Sequence, residues 1–365
     1  MRNRHSILFI LPSFSGGGAE RVILNLLIGL HNRGIPVGII VFETSGPLLS
    51  MVPNGVSIYN LDKVSLKRSI IPLIKKLNQL HPKVVFSTLG YINVALLSVR
   101  WMLFKRTSIW VREANLPSIS LSNNLYPKIM VFLYRVLYKY ADKVICTSVR
   151  MKSEFKYDFL VPDDIIEVLP NPVDVQKIRR LAFPTIRFDK GGVCYIAAGR
   201  LTFQKGFDRL LYWFSELENK KSTLAILGEG ELKNELIKEV ELLNIQDRVK
   251  FLGFCNNPWQ WYAGADIFLL SSRWEGMPNS ALEALACGTP VIATKESGGI
   301  DEIVKQGDTS ITIVTGPQQF IYAMNNVKTR NKDSKNDSLL PDRYKQENAT
   351  LIIEKWLNEI SLKND

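Results

Sequence analysis

Two acids of this sequence, Glu275 and Glu283, stand in a pattern that suits the binding of a sugar nucleotide. The apolar run 267–270 before them predicts a buried strand, and the segment from Ser280 to Gly288 predicts a helix. Glu275 would then lie on a loop at the carboxyl end of the strand, and Glu283 in the first turn of the helix. Carboxylates accept hydrogen bonds from sugar hydroxyls, while free N–H groups at a helix start hold phosphate.

A simpler interpretation of the same stretch stays open. Ser280 and Glu283 match the Ser-x-x-Glu capping box that begins many helices, which would give Glu283 a purely structural use. Glu275, taken alone, also fits a solvated loop residue. The pairing of the two acids therefore needs support from the rest of the chain.

Two cations form the second candidate group. Arg200 and Lys205 lie five positions apart on the loop GRLTFQKG, after the apolar run 193–198. An arginine fork and a lysine point charge together suit a diphosphate, although a surface loop without a ligand has the same appearance. Glycines mark two further loops where backbone N–H groups can approach an anion, namely Gly17 and Gly18 before the first helix and Gly228 after a strand at 224–227.

These polar segments share one position in the predicted fold. Strands and helices alternate along the chain, beginning with a βαβ unit at 7–42. Each candidate segment follows a strand and precedes a helix, as expected for the ligand-binding edge of a parallel sheet. The early glycines do not fit G-x-G-x-x-G, which argues against a nicotinamide enzyme. A third polar group stands at the carboxyl end of a strand at 108–112. It consists of Arg112, Glu113 and Asn115 and would line an acceptor pocket or form a turn.

The length of 365 residues predicts two domains, since single cores stop growing at roughly 250 to 300 residues. The first domain covers 1–174 and ends at VLPNPVD, residues 175–190 are interpreted as a linker, and the second domain covers 190–342. Four scattered cysteines and three histidines suggest neither a disulfide framework nor a zinc site. No uncharged apolar run reaches the roughly 18 residues of a membrane span, and we expect a cytoplasmic protein.

Charge is divided unevenly between the two halves. Residues 1–180 contain 24 Lys and Arg against 11 Asp and Glu, whereas residues 181–365 contain 22 against 24. In the first half, basic residues alternate with aliphatic and aromatic ones, which favours contact with an anionic membrane surface. Ordinary helices with solvated basic rims remain an alternative. No recognition motif accompanies the charge, so a nucleic-acid partner is not expected.

Five segments carry a family resemblance: GGGAERVILNL, GRLTFQKG, LGEGE, FLGF and EGMPNSALEALACGTPVIA. They resemble the retaining glycosyltransferases of family 4, and the similarity covers nearly the whole chain. The most specific feature is E-x7-E, matched by Glu275 and Glu283. The resemblance implies an α/β protein of the GT-B fold, with two Rossmann-like domains that face each other across a cleft. It also implies a C-terminal segment, 343–365, whose helix at about 343–360 returns to the N-terminal domain.

In the family, the second domain mainly holds the donor and the first the acceptor. Carried over by position, Arg200 and Lys205 would bind the donor diphosphate, Glu275 the hydroxyls of the transferred sugar and Glu283 the ribose. The other implied donor-binding positions are Gly17, Gly18, Gly228, Gly276 and Met277. No Asp-x-Asp occurs, so no carboxylate clamp for Mg²⁺ or Mn²⁺ is evident, and the two cations would neutralise the leaving diphosphate. We predict that neither a metal nor another cofactor is required.

One position departs from the family pattern. Many relatives carry a histidine that contacts the donor sugar where this chain has Ala114, so that role is vacant or is taken over by Arg112, Glu113 or Asn115. Retention in the family is explained by front-face attack, in which the departing phosphate takes the proton of the acceptor. The resemblance therefore implies no protein nucleophile.

The sequence thus predicts a hexosyltransferase or N-acetylhexosaminyltransferase. Its donor would be a nucleotide diphosphate sugar, with UDP as the favoured nucleotide, and its acceptor a polyprenyl-diphosphate-linked saccharide of bacterial surface glycan synthesis. The enzyme would be peripheral on the inner face of the cell membrane. Two alternatives stay open, namely a soluble glycosyltransferase acting on a sugar phosphate or metabolite, and a non-catalytic membrane scaffold that binds sugar nucleotides.

Overall fold

A computed structural model of the protein describes residues 5–63, 65–104, 106–122, 126–304, 310–330 and 337–364. The chain divides into two compact units. The first comprises Met1–Pro172 and Gln346–Asp365, and the second comprises Val173–Lys345. Each unit contains one parallel sheet with helices packed on it, which is the arrangement of two Rossmann-like domains.

Among the described residues, the sheet of the first unit has seven strands. They are β1 (Ile7–Leu11), β2 (Val37–Val41), β3 (Ser57–Asn60), β4 (Val84–Thr88), β5 (Ser108–Arg112), β6 (Lys143–Cys146) and β7 (Ile166–Val168). Its helices before the C-terminus are α1 (Gly18–Asn32), α2 (Leu66–Leu80), α3 (Gly90–Ser98), α4 (Pro117–Ser122), α5 (Pro127–Leu137) and α6 (Val149–Tyr157). The strand order β3-β2-β1-β4-β5-β6-β7 makes the pair β1 and β4 the topological switch point.

Both faces of this first sheet are buried. Successive residues of β1 alternate between two hydrophobic clusters, with Leu8 and Ile10 in one and Ile7 and Phe9 in the other. The first cluster contains side chains of α2, α3 and α5, and the second contains those of α1. A strand covered on both faces needs a continuous apolar run rather than an alternating one, and ILFIL supplies it.

Among the described residues, the sheet of the second unit has six strands. They are β8 (Cys194–Ala198), β9 (Thr223–Leu227), β10 (Val249–Gly253), β11 (Ile267–Leu270), β12 (Val291–Thr294) and β13 (Ile311–Val314). Its helices are α7 (Val175–Leu181), α8 (Phe207–Ser215), α9 (Lys233–Leu242), α10 (Trp259–Gly264), α11 (Asn279–Ala286), α12 (Ile300–Val304) and α13 (Pro317–Asn325). The order β10-β9-β8-β11-β12-β13 places the switch point between β8 and β11.

The structure differs from the predicted linker at 175–190. The first part of that segment is helix α7, capped by the Asp174 carboxylate, which accepts a hydrogen bond from the Lys177 N–H at 2.9 Å. Val175 and Ile178 are buried in the same hydrophobic cluster as residues of α10 and α11. The two prolines of 168–174 indicated a break in the chain, but they do not reveal that a short amphipathic helix follows and joins the second core.

The last helix, α14 (Gln346–Asn364), belongs to the first unit. It packs on α1, where Gly29 leaves room for the Thr350 methyl group, since a Cβ at Gly29 would lie 2.6 Å from that carbon. The Gln346 side chain donates a hydrogen bond to the Asn25 carbonyl at 2.6 Å, and Trp356 is buried against Trp110. None of the described helices is long and apolar enough to cross a membrane.

Candidate active site

Three of the predicted donor-binding residues lie on the two loops at the switch point of the second sheet. The loop after β8 carries Arg200 and Lys205, and the loop after β11 carries Glu275. Because β8 and β11 are neighbours in a parallel sheet, their carboxyl ends bring these two loops side by side although 70 residues separate Lys205 from Glu275.

Lys205 and Glu275 form an ion pair. The Lys205 Nζ lies 2.5 Å from the Glu275 Oε1, which also accepts a hydrogen bond from the Ser272 hydroxyl at 2.7 Å. The Glu275 side chain is 7% exposed and the Lys205 side chain 19%, so both atoms are partly shielded from water. A second contact fixes the loops, since the Ser271 hydroxyl donates to the Lys205 carbonyl at 3.0 Å. The pair presents a cation and a carboxylate at one place, which suits a ligand with both phosphate and hydroxyl groups.

Arg200 differs from Lys205 in having no protein partner for its guanidinium within the described residues. Its side chain is exposed, while its carbonyl accepts a hydrogen bond from the Thr202 N–H at 2.8 Å. An arginine keeps its charge at all ordinary pH values and offers a planar fork to phosphate oxygens. Of the two predicted cations, Arg200 is thus the one whose donors are available without breaking an ion pair.

The glycine-containing loop after β9 packs with its backbone directly against the backbone of the loop that carries Arg200. Gly228 has φ +135°, and a Cβ there would lie 1.9 Å from the Gly199 carbonyl oxygen. A Cβ at Gly230 would lie 2.4 Å from the Leu201 carbonyl oxygen, and the Leu201 N–H donates to the Glu229 carbonyl at 3.0 Å. Side chains at these glycines would push the two loops apart. Gly228 therefore supports the loop of Arg200 because its lack of a side chain allows the close backbone contact.

A similar backbone contact holds the segment after Glu275. Gly276 and Met277 are buried, and the Gly276 carbonyl accepts a hydrogen bond from the Gly299 N–H at 3.2 Å. Gly298 has φ +71°, and a Cβ there would lie 2.1 Å from the Glu275 carbonyl oxygen. The loop before α12 therefore fixes the path of the chain from Glu275 into α11.

The predicted capping box is wrong. Helix α11 begins at Asn279 with Pro278 as its N-cap, and no side chain caps it. Ser280 lies inside the helix, and its hydroxyl donates to the Ala198 carbonyl at 3.3 Å instead of closing the first turn. Glu283 lies beyond the first turn, and its Oε2 accepts a hydrogen bond from the Trp259 Nε1 at 2.8 Å. The spacing of Ser-x-x-Glu fits a capping box only when the serine itself precedes the helix.

Gly17 and Gly18 lie at the start of α1, where the sequence predicts an approach to phosphate. A carboxylate already occupies this neighbourhood, because a Cβ on Gly17 would lie 2.3 Å from the Glu20 Oε2. The Ser15 hydroxyl donates to the other Glu20 oxygen at 3.4 Å. Burial and then the nearby Glu20 charge raise the pKa of Tyr91, which follows β4 on the other side of the switch point. Neither Glu20 nor Tyr91 was predicted from the sequence. The available signal was Glu20 itself, an acid in the first turn of a helix.

The predicted acceptor trio does not share one surface. Arg112 is buried, and its guanidinium donates to the Asn171 Oδ1 at 2.5 Å and to the Thr88 hydroxyl at 3.4 Å. Burial lowers the pKa of Arg112 to about 10, so it stays charged at neutral pH. Asn115 is half-buried and, within the described residues, has no side-chain hydrogen bond. Of the trio, Asn115 is the residue whose amide is most open to a ligand.

Glu113 lies in a polar cluster inside the first unit. Its carboxylate accepts hydrogen bonds from the Asn93 amide at 2.7 Å, from the Tyr134 hydroxyl at 3.2 Å and from the Tyr138 hydroxyl. Burial raises the pKa of Glu113, and these three hydrogen bonds and the Arg112 charge oppose that shift. The four partners hold Glu113 within the protein, so the geometry favours a role in shaping the 112–115 loop over direct contact with a substrate.

No three His, Cys, Asp or Glu side chains come together as a metal site in the part of the chain that the structure describes. Arg200 and Lys205 stay the predicted ligands of a diphosphate, which their cationic side chains suit. Metal independence itself stays a prediction, because a cation can also enter with its nucleotide ligand.

Comparison with known proteins assigns the chain. The family model "Glycosyltransferase Family 4" matches residues 16–177, and "Glycosyl transferases group 1" matches residues 179–338. A glycosyltransferase of Methanocaldococcus jannaschii without established activity is 32% identical over 66% of this chain, which is 62% of that relative's length. A Campylobacter jejuni protein is 26% identical over 88% of this chain and 89% of its own. That relative is named N-acetylgalactosamine-N,N'-diacetylbacillosaminyl-diphospho-undecaprenol 4-alpha-N-acetylgalactosaminyltransferase.

Solved structures agree with this assignment at the level of the fold. The Anabaena protein HepE, crystallised with UDP and glucose, superposes with a TM-score of 0.71 at 18% identity over 97% of this chain and 99% of its own. At that identity the likeness establishes the shared fold alone. The two family models together match most of the chain, and the predicted family and fold are confirmed. The chain is a glycosyltransferase of family 4 with the GT-B fold.

Proposed function

We propose that this enzyme transfers a hexose or N-acetylhexosamine from a UDP-sugar to a hydroxyl of a polyprenyl-diphosphate-linked saccharide, with retention at the anomeric carbon. The observation that carries the proposal is the Lys205–Glu275 pair at a switch point, together with Arg200 on the same loop as Lys205, whose guanidinium has no protein partner among the described residues. The undecaprenol-diphosphate substrate in the name of the Campylobacter relative supports the acceptor class. The UDP and glucose bound by HepE support the donor class.

The proposed chemistry assigns separate work to the three charged residues. Arg200 binds the diphosphate first, because its donors are available, and Lys205 then exchanges part of its contact with Glu275 for a phosphate oxygen. Glu275, still held by Ser272, accepts hydrogen bonds from hydroxyls of the transferred sugar. The two cations stabilise the charge that develops on the leaving diphosphate, which is the largest electrostatic demand of the reaction.

The remaining steps need no protein nucleophile. The acceptor hydroxyl attacks on the face from which the diphosphate leaves, and a departing phosphate oxygen takes its proton. Glu283, oriented by Trp259, accepts a hydrogen bond from the ribose of the donor. Gly228, Gly276 and Met277 complete the donor site of the second unit as proposed positions. In the first unit, Gly17 and Gly18 stay predicted donor-binding positions, although the Glu20 carboxylate beside Gly17 disfavours a phosphate close to that glycine.

The first experiment measures donor binding by calorimetry with a panel of UDP-sugars and GDP-sugars, with and without EDTA. Binding of one nucleotide sugar that persists in EDTA and is lost in Arg200→Ala supports the metal-free donor site. Arg180→Ala, which removes an exposed arginine of α7 in the same unit, is the matched control. Binding that requires a divalent cation would overturn metal independence. Binding that survives Arg200→Ala would overturn the diphosphate assignment.

A basic, acid-poor segment supports the proposed membrane partner. Residues 63–141 contain 13 Lys and Arg and one acid, which is the buried Glu113. On α5 and the turn after it, four exposed apolar side chains recur at helical spacing, and we refer to Ile129, Phe132, Val136 and Tyr140 as the α5 stripe. Exposed Lys128, Arg135 and Lys139 lie among them in the sequence. An exposed apolar stripe with basic neighbours suits a bilayer that contains anionic lipids.

Vesicle flotation tests this partner. The protein should float with vesicles that contain phosphatidylglycerol at low salt, and less with pure phosphatidylcholine or at high salt, since screening weakens the attraction. The double variant Ile129→Ser/Phe132→Ser should lose flotation, whereas Leu242→Ser, at an exposed leucine of the second unit, should not. Absence of flotation by the native protein at low salt would favour the alternative, a soluble transferase that acts on a sugar phosphate or metabolite.

A further inference from the structure

Two aromatic side chains flank the Lys205–Glu275 pair. Phe203 lies two residues before Lys205 and is 59% exposed, and Trp274 directly precedes Glu275 and is half-buried. Their ring centroids are 6.1 Å apart and the rings are inclined at 54°. The two loops that carry the charged pair therefore also present an aromatic surface, which has no role in the proposed function.

The Phe203 ring is held in place by a guanidinium. The Arg273 Cζ lies 3.9 Å from the centroid of that ring, and the two ends of the guanidinium donate to the Asp208 carboxylate at 2.8 and 2.6 Å. The same group also donates to the Phe203 carbonyl at 2.8 Å. A planar cation over an aromatic face is attractive, and the bidentate ion pair fixes where that cation lies. The contact with Arg273 therefore restricts the position of the exposed ring.

Trp274 is fixed through its backbone. The Gln204 amide donates to the Trp274 carbonyl at 3.0 Å, and the Arg273 N–H donates to the Gln204 carbonyl at 2.7 Å. The segments 203–205 and 272–275 are thus joined by four contacts, the other two being the hydrogen bond from Arg273 to the Phe203 carbonyl and the Lys205–Glu275 ion pair. Single exposed apolar side chains are normal on protein surfaces and need no function. The contacts between these two loops distinguish Phe203 and Trp274 from such scattered residues.

We propose that Phe203 and Trp274 form a platform for the pyranose ring of a saccharide substrate. A pyranose has an apolar face of C–H groups, which packs against aromatic rings. It also has hydroxyls at its rim, and Glu275, on the loop that carries Trp274, can accept hydrogen bonds from them. Ligand sites commonly combine aromatic walls with a few fixed polar groups, and here both come from the same pair of loops. The platform rests on the proposed function, since it assigns the sugar-binding part of that site.

The test compares two ring deletions with a matched control. Phe203→Ala and Trp274→Ala each remove one ring, Phe203→Tyr keeps the ring, and Tyr212→Ala removes an exposed tyrosine of α8 in the same unit. Circular dichroism and the thermal midpoint verify that each variant is folded. Three quantities are then measured: the Kd of free UDP, the Kd of the UDP-sugar bound by the native protein, and the KM of the lipid-linked saccharide.

We expect the Kd of the UDP-sugar or the KM of the saccharide to rise about tenfold in each alanine variant, with Phe203→Tyr and Tyr212→Ala close to native. A rise confined to the UDP-sugar identifies the ring as that of the transferred sugar, and a rise confined to the acceptor identifies it as the accepting sugar. An equal loss for free UDP would overturn the proposal in favour of stacking on the nucleobase. Unchanged values throughout would overturn it as well. Failure of the proposed function is distinguishable, because the native protein itself would then bind no nucleotide sugar.

Discussion

The two sheets of this protein have the same construction, but their charged residues at the carboxyl ends of the strands are used differently. In the second unit, Lys205 and Glu275 come from separate loops and meet at the switch point, and the loop of Lys205 also carries Arg200, which is exposed and whose guanidinium has no protein partner in the part of the chain that the structure describes. In the first unit, Arg112 ends a strand and Glu113 follows it, yet both are buried and bonded to protein groups. A charged residue after a parallel strand is therefore not enough to identify a site. What decides is whether its hydrogen-bonding capacity is satisfied by the protein or left for a ligand.

The strongest test of this comparison removes the cation of the second unit. Lys205→Ala should lower kcat by about 10³-fold, equal to about 4 kcal/mol, because charge on the leaving diphosphate loses one stabilising cation and Glu275 loses its partner. The measurement is the rate of transfer at saturating donor. Lys345→Ala is the matched control, since its Nζ also lies 2.5 Å from a carboxylate, that of Asp342. A near-native kcat in Lys205→Ala would mean that the pair is structural, as the charges of the first unit are.

The second test concerns the backbone packing that supports the site. Gly228→Ala should reduce the free energy of unfolding by about 3 kcal/mol, because a methyl group cannot fit 1.9 Å from the Gly199 carbonyl oxygen. Gly316→Ala, at φ +80° with no atom within 4 Å of the added carbon, should cost about 1 kcal/mol from backbone strain alone. Urea denaturation followed by circular dichroism gives both values. Equal losses would show that the two loops move apart without cost.

The third test addresses the buried acid of the first unit. Burial raises the pKa of folded Glu113 above the value of about 4.3 for an unfolded glutamate, so the folded protein holds this proton more tightly. The contribution of Glu113 to stability is then complete at low pH and is lost as the pH rises through the folded pKa. Glu113→Gln should gain stability relative to the native protein as the pH rises from 4 to 8, because a glutamine has no proton to lose.

Thermal midpoints of the native protein and of Glu113→Gln, measured across this pH range, provide the readout for that prediction. A difference that moves in the opposite direction would mean that the hydrogen bonds from Asn93, Tyr134 and Tyr138 stabilise the ionised acid more than burial disfavours it. In that case the protein holds Glu113 as a charged carboxylate.

The smallest effect is expected at Trp259. Trp259→Phe keeps a buried ring but removes the hydrogen bond from Nε1 to Glu283, so the acid proposed to bind the ribose loses the contact that orients it. The Kd of UDP, measured by calorimetry, should rise about threefold. Trp213→Phe, at a buried tryptophan on α8, controls for the loss of ring volume. An unchanged Kd in Trp259→Phe would indicate that this hydrogen bond serves only to join α10 and α11.

Much of the donor half could be predicted from the sequence. The apolar runs 193–198, 224–227 and 267–270 mark strands that are buried on both faces, and polar loops follow each of them, so the motif residues fall at one edge of the sheet. The same reasoning placed Arg112 and Glu113 after a strand but failed to place their side chains. A residue at the end of a strand can point into the core or into a loop, and one sequence does not reveal which partners wait in the core.

The sequence alone determined the alternation of strands and helices and the spacing of Glu275 and Glu283, because apolar periodicity and motif spacing are local properties of a chain. The tertiary structure decided which of these groups meet. It paired Lys205 with Glu275, joined Glu283 to Trp259 rather than to a helix cap, sealed Glu113 among two tyrosines and fixed Phe203 beneath Arg273. Such contacts depend on strand order and on the crossing of distant loops, and therefore on the whole fold rather than on any one segment.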